Sequence, residues 1–510
     1  MSRVLKFLGR DRETRWTFTL LLCLPYLAFL IWMHAHHEMW RDEVHAWTLS
    51  RLAHGFWDLV TGERIYDGHP PLWYWYLHIW SRFVEAAWGI QAATVAAALG
   101  AAVLLVRFAP FPRYLKVLLI FSYYFGYEYA VMARDYVLGW FLVCVFCVLY
   151  HPLRTRYVAL GIALGMLSLT SIYGLVMCFF LLLFFVLDQI TISYARESAQ
   201  PPAYNLTISP FMLTTVIIAA ALMAFCVLTL EPPDPNPFSP RTNFDLLKLT
   251  ALPDMMYRLT AGYLPWRSLV AQDFWGGPFT LWLNKSAWLT YVGGGILLFT
   301  TLALYPSWRL MIAHLAAAST MLLFQQVRFE GGPRHWGHFF IFFFAACWLL
   351  RSRFPWRSHW PTTLALVALL AFQAESFGAA TIVETREVFS GGRDAAAFIR
   401  SQGLQDLPLL GGPDYMMVTV AGYLRRPFIA AESEEVHQTV VFHSRRRGFS
   451  GYDLMNRAVA ISRERKSPVI AVGINPLPAP PPGATSVLLF TSRPGCVADE
   501  VFWVYRIQAP

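Results

Sequence analysis

Residues 34–82 read HAHHEMWRDEVHAWTLSRLAHGFWDLVTGERIYDGHPPLWYWYLHIWSR. They hold an adjacent Asp42–Glu43 pair, a cluster of His34, His36, His37 and His45, an Asp67-Gly68-His69-Pro70-Pro71 turn, and the aromatic row Trp73, Tyr74, Trp75 and Tyr76. A single charged side chain at the centre of a bilayer costs about 2.5–3.5 kcal/mol or more. So many ionisable groups, directly after a long apolar run, belong at a membrane surface, facing an active site.

Composition gives the same setting. With 56% apolar, 16% aromatic and only 14% charged residues over 510 positions, and a mean hydropathy of +0.43, the chain has too little polar surface for a soluble globule of its size. The fold class expected is an α-helical polytopic membrane protein. The net charge of +9 does not point to nucleic acid, because the Arg and Lys residues stand mostly in short tracts beside apolar runs, where they set orientation.

The first apolar run, Trp16–Met33, follows Arg3, Lys6, Arg10, Arg12 and Arg15 and has no small-residue cleavage site after it, so it reads as a retained first helix with the N-terminus in the cytoplasm. A crossing needs about 17–25 apolar residues. Candidates lie at Ile90–Val106, Lys116–Met132, Val137–Tyr150, Val158–Tyr173, Gly174–Ile190, Ile208–Leu230, Ala287–Leu304, Arg309–Phe324, Gly337–Leu350 and Pro361–Ala380. With the first helix these make about eleven crossings, which places the C-terminus outside. Arg107, Arg113 and Lys116, then Arg154 and Arg156, then Arg351, Arg353 and Arg357 all fall in loops that this count makes cytoplasmic. The aromatic segment Pro70–Trp88 reads as an amphipathic helix in the outer interface.

Two extramembrane regions remain. Residues 231–285 form an outer loop that begins with EPPDPNPFSP and ends near FWGGPFTLW. Residues 381–510 differ from the 1–380 membrane domain: helical patterns at Arg393–Ser401 and Tyr452–Arg465 alternate with strand-like runs at Pro408–Leu410, Val469–Val472 and Ser486–Phe490, which predicts a small C-terminal α/β domain outside the membrane. Six of the seven cysteines fall in expected spans and Cys496 alone lies in the tail, so no disulfide framework is available there.

Chemistry must come from polar groups that converge on the outer face. Asp42 and Glu43 are neighbours, so on a helix they point about 100° apart and cannot both face one substrate atom; one works and the other supports. A partly shielded carboxylate is suited to take a proton from a hydroxyl nucleophile. Glu128, Arg134 and Asp135 sit where the third run ends and the fourth begins. Arg328, Glu330, Arg334, His335 and His338 lie in a late Gly-rich outer loop, where two arginines are suited to hold a phosphate by forked hydrogen bonds.

The order of RDE after the first span, GHPPL before an aromatic helix, ARDY at the third-to-fourth turn and a late PRHW resembles the GT-C glycosyltransferases, and in particular the bacterial relatives of protein O-mannosyltransferases and of the aminoarabinose transferases. The resemblance covers about residues 1–380. It implies Asp42 as the catalytic base with Glu43 beside it, His69-Pro70-Pro71-Leu72 as the motif closing the first loop, Arg134 and Tyr136 as the Arg-x-Tyr opening the fourth helix, and Arg334 near the lipid phosphate. His69, Glu128, Arg328 and His335 complete the expected substrate and loop set. Asp135 stands where relatives often carry Pro, and His335 where Tyr is usual.

The activity implied is transfer of a hexosyl or pentosyl group from a polyprenyl-phosphate donor to a hydroxyl of an acceptor lipid, glycan or protein, with inversion, at the outer face of a bacterial cytoplasmic (inner) membrane. No nucleotide-sugar is required, in keeping with the absence of a Gly-rich phosphate-binding fingerprint. A divalent metal (Mg²⁺, Mn²⁺ or Zn²⁺) stays open, with His37, Asp42, Glu43 and His45 as candidate ligands. The rival class is a transporter or flippase for a lipid-linked or anionic substrate. Transporters usually show inverted repeats and midplane charges, whereas these ionisable groups gather at one face.

Overall fold

Length and apolar composition together select six helices of this computed structural model as able to cross a bilayer: Trp16–His36, Gly89–Phe108, Ile172–Ile190 (the apolar part of a helix that runs to Glu197), Pro210–Leu228, Trp308–Val327 and Trp360–Arg386. The structure describes residues 15–151, 156–197, 210–231, 242–267, 269–270, 274, 288–354 and 360–510. Four expected crossings are shorter helices, Tyr136–Leu149, Tyr157–Ser168, Leu289–Leu302 and His338–Arg353. Among the described residues every expected apolar run has a helical counterpart, and the chain is a multi-pass membrane protein.

One expectation is corrected. Lys116–Met132 is not a continuous helix: an α-helix over Arg113–Ile120 gives way to a π-helical turn over Tyr123–Glu128 and then to irregular backbone before Tyr136. Polar and small residues inside the run explain the break. Ser122 caps the turn by accepting from Phe125 N at 3.4 Å, and Gly126 lets Phe377 approach so closely that a Cβ would lie 2.6 Å from its ring. Irregular backbone at membrane depth is tolerated where protein buries it, and residues 123–135 are buried throughout. The break frees backbone amides near residue 133 to meet the segment that follows the first membrane helix.

Contacts at the other end of the bundle group the expected cytoplasmic arginines with the first helix's start. Arg107 stacks on Trp16 at 5.6 Å and Arg113 on Phe18 at 4.9 Å. Arg309 and Arg353 both pair with the buried Asp188, the former at 3.2 Å. Arg3, Lys6, Arg10, Arg12, Arg154 and Arg357, the tract EPPDPNPFSP beyond Glu231, and FWGGPFTLW beyond Phe274 lie outside the described residues.

The last long helix runs to Arg386, past the expected boundary at 380, and leads into an α/β domain. Strands β1 (Leu409–Gly412), β2 (Phe428–Ala430), β3 (Val436–His437), β4 (Val469–Gly473), β5 (Thr485–Thr491) and β6 (Trp503–Gln508) form one sheet in the order β3-β2-β1-β4-β6-β5. The central β1 is parallel to β2 and β4, and the remaining pairs are antiparallel. Strand periodicity divides the core: Leu409, Ile470 and Val472 pack under helices Gly392–Ser401 and Asp414–Leu424, whereas Leu410, Val469 and Ala471 pack against helix Gly451–Arg465.

This domain is seated on the segment that follows the first membrane helix. Helix Asp414–Leu424 packs on helix Arg41–Leu52, with Gly422 giving way to Val44. Arg41 N donates to Glu500 Oε1 at 2.9 Å, Arg41 Nη1 pairs with Asp499 at 3.0 Å, and Phe389 N donates to Glu38 Oε2 at 2.7 Å. The seat puts residues of the tail directly over the residues that carry the expected chemistry.

Candidate active site

Glu43 and Asp42 begin helix Arg41–Leu52, and the helix turn sends them apart. Glu43 points inward, is fully buried and accepts from Trp40 N (3.1 Å), His37 Nε2 (2.9 Å) and Ala133 N (2.5 Å). His37 Nδ1 meets Glu384 Oε1 at 2.9 Å, and Tyr127 donates to Glu384 Oε2 at 2.5 Å. Burial opposes charge on His37, but the carboxylates of Glu43 and Glu384 raise its pKa well above the ordinary histidine value. This network ties the first helix, the π-helical turn and the last helix together.

That buried network has a measurable consequence. Removing one partner of a buried charged pair costs about 3–5 kcal/mol. Glu43→Gln is therefore expected to lower the melting temperature clearly, whereas Asp42→Asn, outside this network, is expected to change it little. A Glu43→Gln protein with native melting temperature but no turnover would place Glu43 in the reaction itself.

Asp42 points the other way, into a cavity of about 560 Å³. Its Oδ2 lies 3.0 Å from Arg334 Nη2 and 3.7 Å from Arg134 Nη1, and its backbone oxygen accepts from Arg134 Nη1 at 2.9 Å. Arg134 Nη2 reaches His69 Nε2 at 3.5 Å. The Arg334 guanidinium lies 4.7 Å over the ring of Trp40, and its carbonyl accepts from Tyr129 at 2.7 Å. Burial pushes the Asp42 carboxyl up, but the facing charges of Arg134, Arg334 and Arg41 outweigh it and hold the pKa below the usual carboxylate range.

Local sequence explains how these groups arrive. In RFEGGPRHW, Gly331 takes φ = 71°, which favours glycine, and Gly332 N donates to His335 Nδ1 at 2.8 Å, so the turn delivers Arg334 towards Asp42. In the other loop the buried Arg64 organises residues 58–71, donating to Leu59 O (2.5 Å), Val60 O (3.1 Å) and His69 O. Gly68, at φ = 68°, then turns Asp67 and His69 to the cavity.

Of the residues expected from sequence, Asp42, His45, His69, Arg134, Tyr136, Arg328, Arg334 and His335 line this one cavity. Glu43, His37 and Glu128 do not line it; Glu128 is buried beside Tyr123, on whose ring Arg267 stacks at 4.4 Å. The four candidate metal ligands are divided between two networks. His37 and Glu43 belong to the buried one, while His45 faces Asp67 at 3.4 Å and bonds Thr439.

Asp67 lines the cavity and receives the Tyr74 hydroxyl. Burial raises its pKa, but His45, His69 and the Tyr74 hydrogen bond bring it well below the ordinary range. Its place in the DGHPP turn was visible in sequence; its place as a further cavity carboxylate was not. Ile172, Tyr173, Leu230, Phe324 and Phe329 give the cavity an apolar side at the ends of membrane helices, and Tyr415, Val418, Val440 and Phe442 of the C-terminal domain close its opposite side.

No family model matches the sequence, and no curated protein matches it. Among solved structures, the chain is similar to ArnT from Cupriavidus metallidurans bound to undecaprenyl phosphate, with a TM-score of 0.51 and 13% identity over 96% of this chain and 98% of that one. The apo state of the same protein aligns at a TM-score of 0.38 and 13% identity over 94% and 97% of the two chains. The protein therefore has the fold of that structure, a membrane helical domain carrying a small C-terminal α/β domain.

Proposed function

We propose that the protein transfers a hexose or pentose from a polyprenyl-phosphate donor to a hydroxyl of an acceptor at the outer face of the cytoplasmic membrane. The observation that carries this reading is one carboxylate, Asp42, held between two arginines in a cavity with an apolar side toward the membrane helices. The crystal structure of ArnT with the same fold was obtained with undecaprenyl phosphate bound. A long isoprenoid suits an apolar flank at the bilayer edge, and its phosphate suits forked arginine donors.

In this reading the donor phosphate competes with Asp42 for Arg134 and Arg334. As the guanidinium groups turn to the phosphate, they leave Asp42 with less positive charge around it, its pKa rises, and it becomes a better base. The acceptor oxygen attacks C1 of the sugar, the C1–O bond to phosphate breaks, and the acceptor proton goes to Asp42. Polyprenyl phosphate leaves with its new charge held by the two arginines, an electrostatic contribution worth about 3–4 kcal/mol for a single preorganised donor. One displacement inverts the anomeric centre. The acceptor is a lipid, a glycan or a protein hydroxyl, approaching beneath Tyr415 and Phe442.

The reading also fixes orientation. Reporter fusions after Arg107 and Arg353 are expected to be cytoplasmic, and fusions after Asp67 and Gly411 to be outside. A cytoplasmic report from Gly411 would put the cavity on the wrong side of the membrane for this reaction. The chemical test is transfer by purified protein from a synthetic polyprenyl-phosphate sugar to an envelope extract, with loss of donor and gain of free polyprenyl phosphate both measured.

A further inference from the structure

Outside the cavity, the C-terminal domain gathers a second set of ligating side chains. Glu435 directly precedes His437's strand, β3, and two residues apart in extended chain their side chains leave the same face. His443 returns to that face from the following segment. His437 Nε2 lies 3.1 Å and His443 Nε2 3.4 Å from Glu435 Oε2, and ligand atoms of the three residues lie within 4.8 Å of one another. The His443 side chain is 5% exposed, and its Nε2 is buried with no hydrogen-bond partner. Glu435 and His437 are partly exposed, which leaves an ion a way in.

We propose that Glu435, His437 and His443 form a zinc site. Two imidazole nitrogens and one carboxylate oxygen are a familiar three-ligand set for Zn²⁺, with water in the fourth position. Arg445 Nη1 donates to Glu435 Oε1 at 2.8 Å, which orients the carboxylate and leaves Oε2 for the ion, the kind of outer partner that ligating groups usually have.

His443 Nδ1 accepts from Arg445 N at 3.1 Å, which fixes the ring with Nε2 toward Glu435. Arg446, the next residue, donates to Asp414 Oδ2 at 2.8 Å and lies 5.0 Å over the ring of Phe442, a wall residue of the cavity. The proposed zinc site thus borders the wall above Asp42.

The test is zinc titration of the metal-stripped full-length protein in detergent at neutral pH, followed by calorimetry. One equivalent is expected to bind with roughly micromolar affinity or tighter. His437→Ala and Glu435→Gln, at partly exposed positions that the fold tolerates, are each expected to weaken binding about tenfold or more, with unchanged melting temperature in the absence of zinc. His69→Ala, in the cavity, is expected to leave zinc binding intact. X-ray absorption of the zinc-loaded wild-type protein reads the ligand set directly, expected as two imidazoles plus oxygen. Failure of wild-type protein to take up zinc, undiminished binding in both ligand variants, or loss of binding in His69→Ala alone would overturn the proposal.

Discussion

Asp42→Asn is expected to abolish nearly all transfer while the protein folds and binds donor as before. The amide keeps the shape of the carboxylate and one of its hydrogen-bonding oxygens, so Arg334 and Arg134 retain a partner at the positions they now occupy. What the amide cannot do is accept the acceptor's proton, and general-base catalysis typically supplies about 10²–10⁴-fold in rate. Donor affinity is expected to be unchanged or stronger, because the negative charge that competes with phosphate for the two guanidinium groups is gone. Turnover, donor binding and melting temperature are measured on the same preparation. Wild-type-like turnover would remove Asp42 as the base and turn attention to Asp67, which also lines the cavity.

The second large effect concerns the donor. Arg134→Ala and Arg334→Ala are each expected to weaken binding of the polyprenyl-phosphate sugar by about 1.5–3 kcal/mol, the usual worth of a hydrogen bond to a charged group, or roughly 10- to 150-fold in affinity. The two losses are not expected to add, since both residues hold the same Asp42 carboxylate and, in the proposed function, would share one phosphate. Arg134 is the more deeply placed, with His69 and Asp135 also within its reach, so its removal also disturbs the loop that presents His69. Equilibrium binding of a fluorescent donor analogue checks both variants. Unchanged affinity in both would place the phosphate elsewhere, with Arg328 as the next cavity cation.

Much of this was legible in the sequence for a simple reason. Apolar length has one dominant meaning in a chain of this composition, so each expected run found a helix among the described residues. The break in the third run was not legible, because Ser122 and Gly126 lie in an otherwise apolar, aromatic stretch and the π-helical turn depends on Phe377 packing from the last helix. In the tail, the helix at Asp414–Leu424 was missed because Gly411-Gly412-Pro413-Asp414 reads as a turn, and the short β2 and β3 offer too few residues for a period to show.

The candidate site divides along the same line. Helix geometry required that Asp42 and Glu43 take different roles, but which one faced the cavity depended on partners far away in sequence. His37 meets Glu384 across 347 positions, and Glu43 meets the backbone of Ala133 only because the third run is broken there. Arg134, Arg334 and His69 carried local signals, in RDY, PRHW and HPPL. Tyr415, Val418, Val440 and Phe442 carried none, since their place over the cavity follows from how the C-terminal domain is seated through Arg41, Glu38 and His45.

The central claim is chemical: the cavity cleaves a phosphate–sugar bond rather than moving its ligand intact across the membrane. The direct measurement uses purified protein in closed vesicles with a synthetic polyprenyl-phosphate sugar and an envelope extract as acceptor, following the lipid by mass spectrometry and the product's anomeric configuration by NMR. The account predicts free polyprenyl phosphate and an acceptor bearing the sugar with inverted configuration, both lost in Asp42→Asn. Intact donor transferred between leaflets with no free polyprenyl phosphate formed would contradict it and favour a transporter.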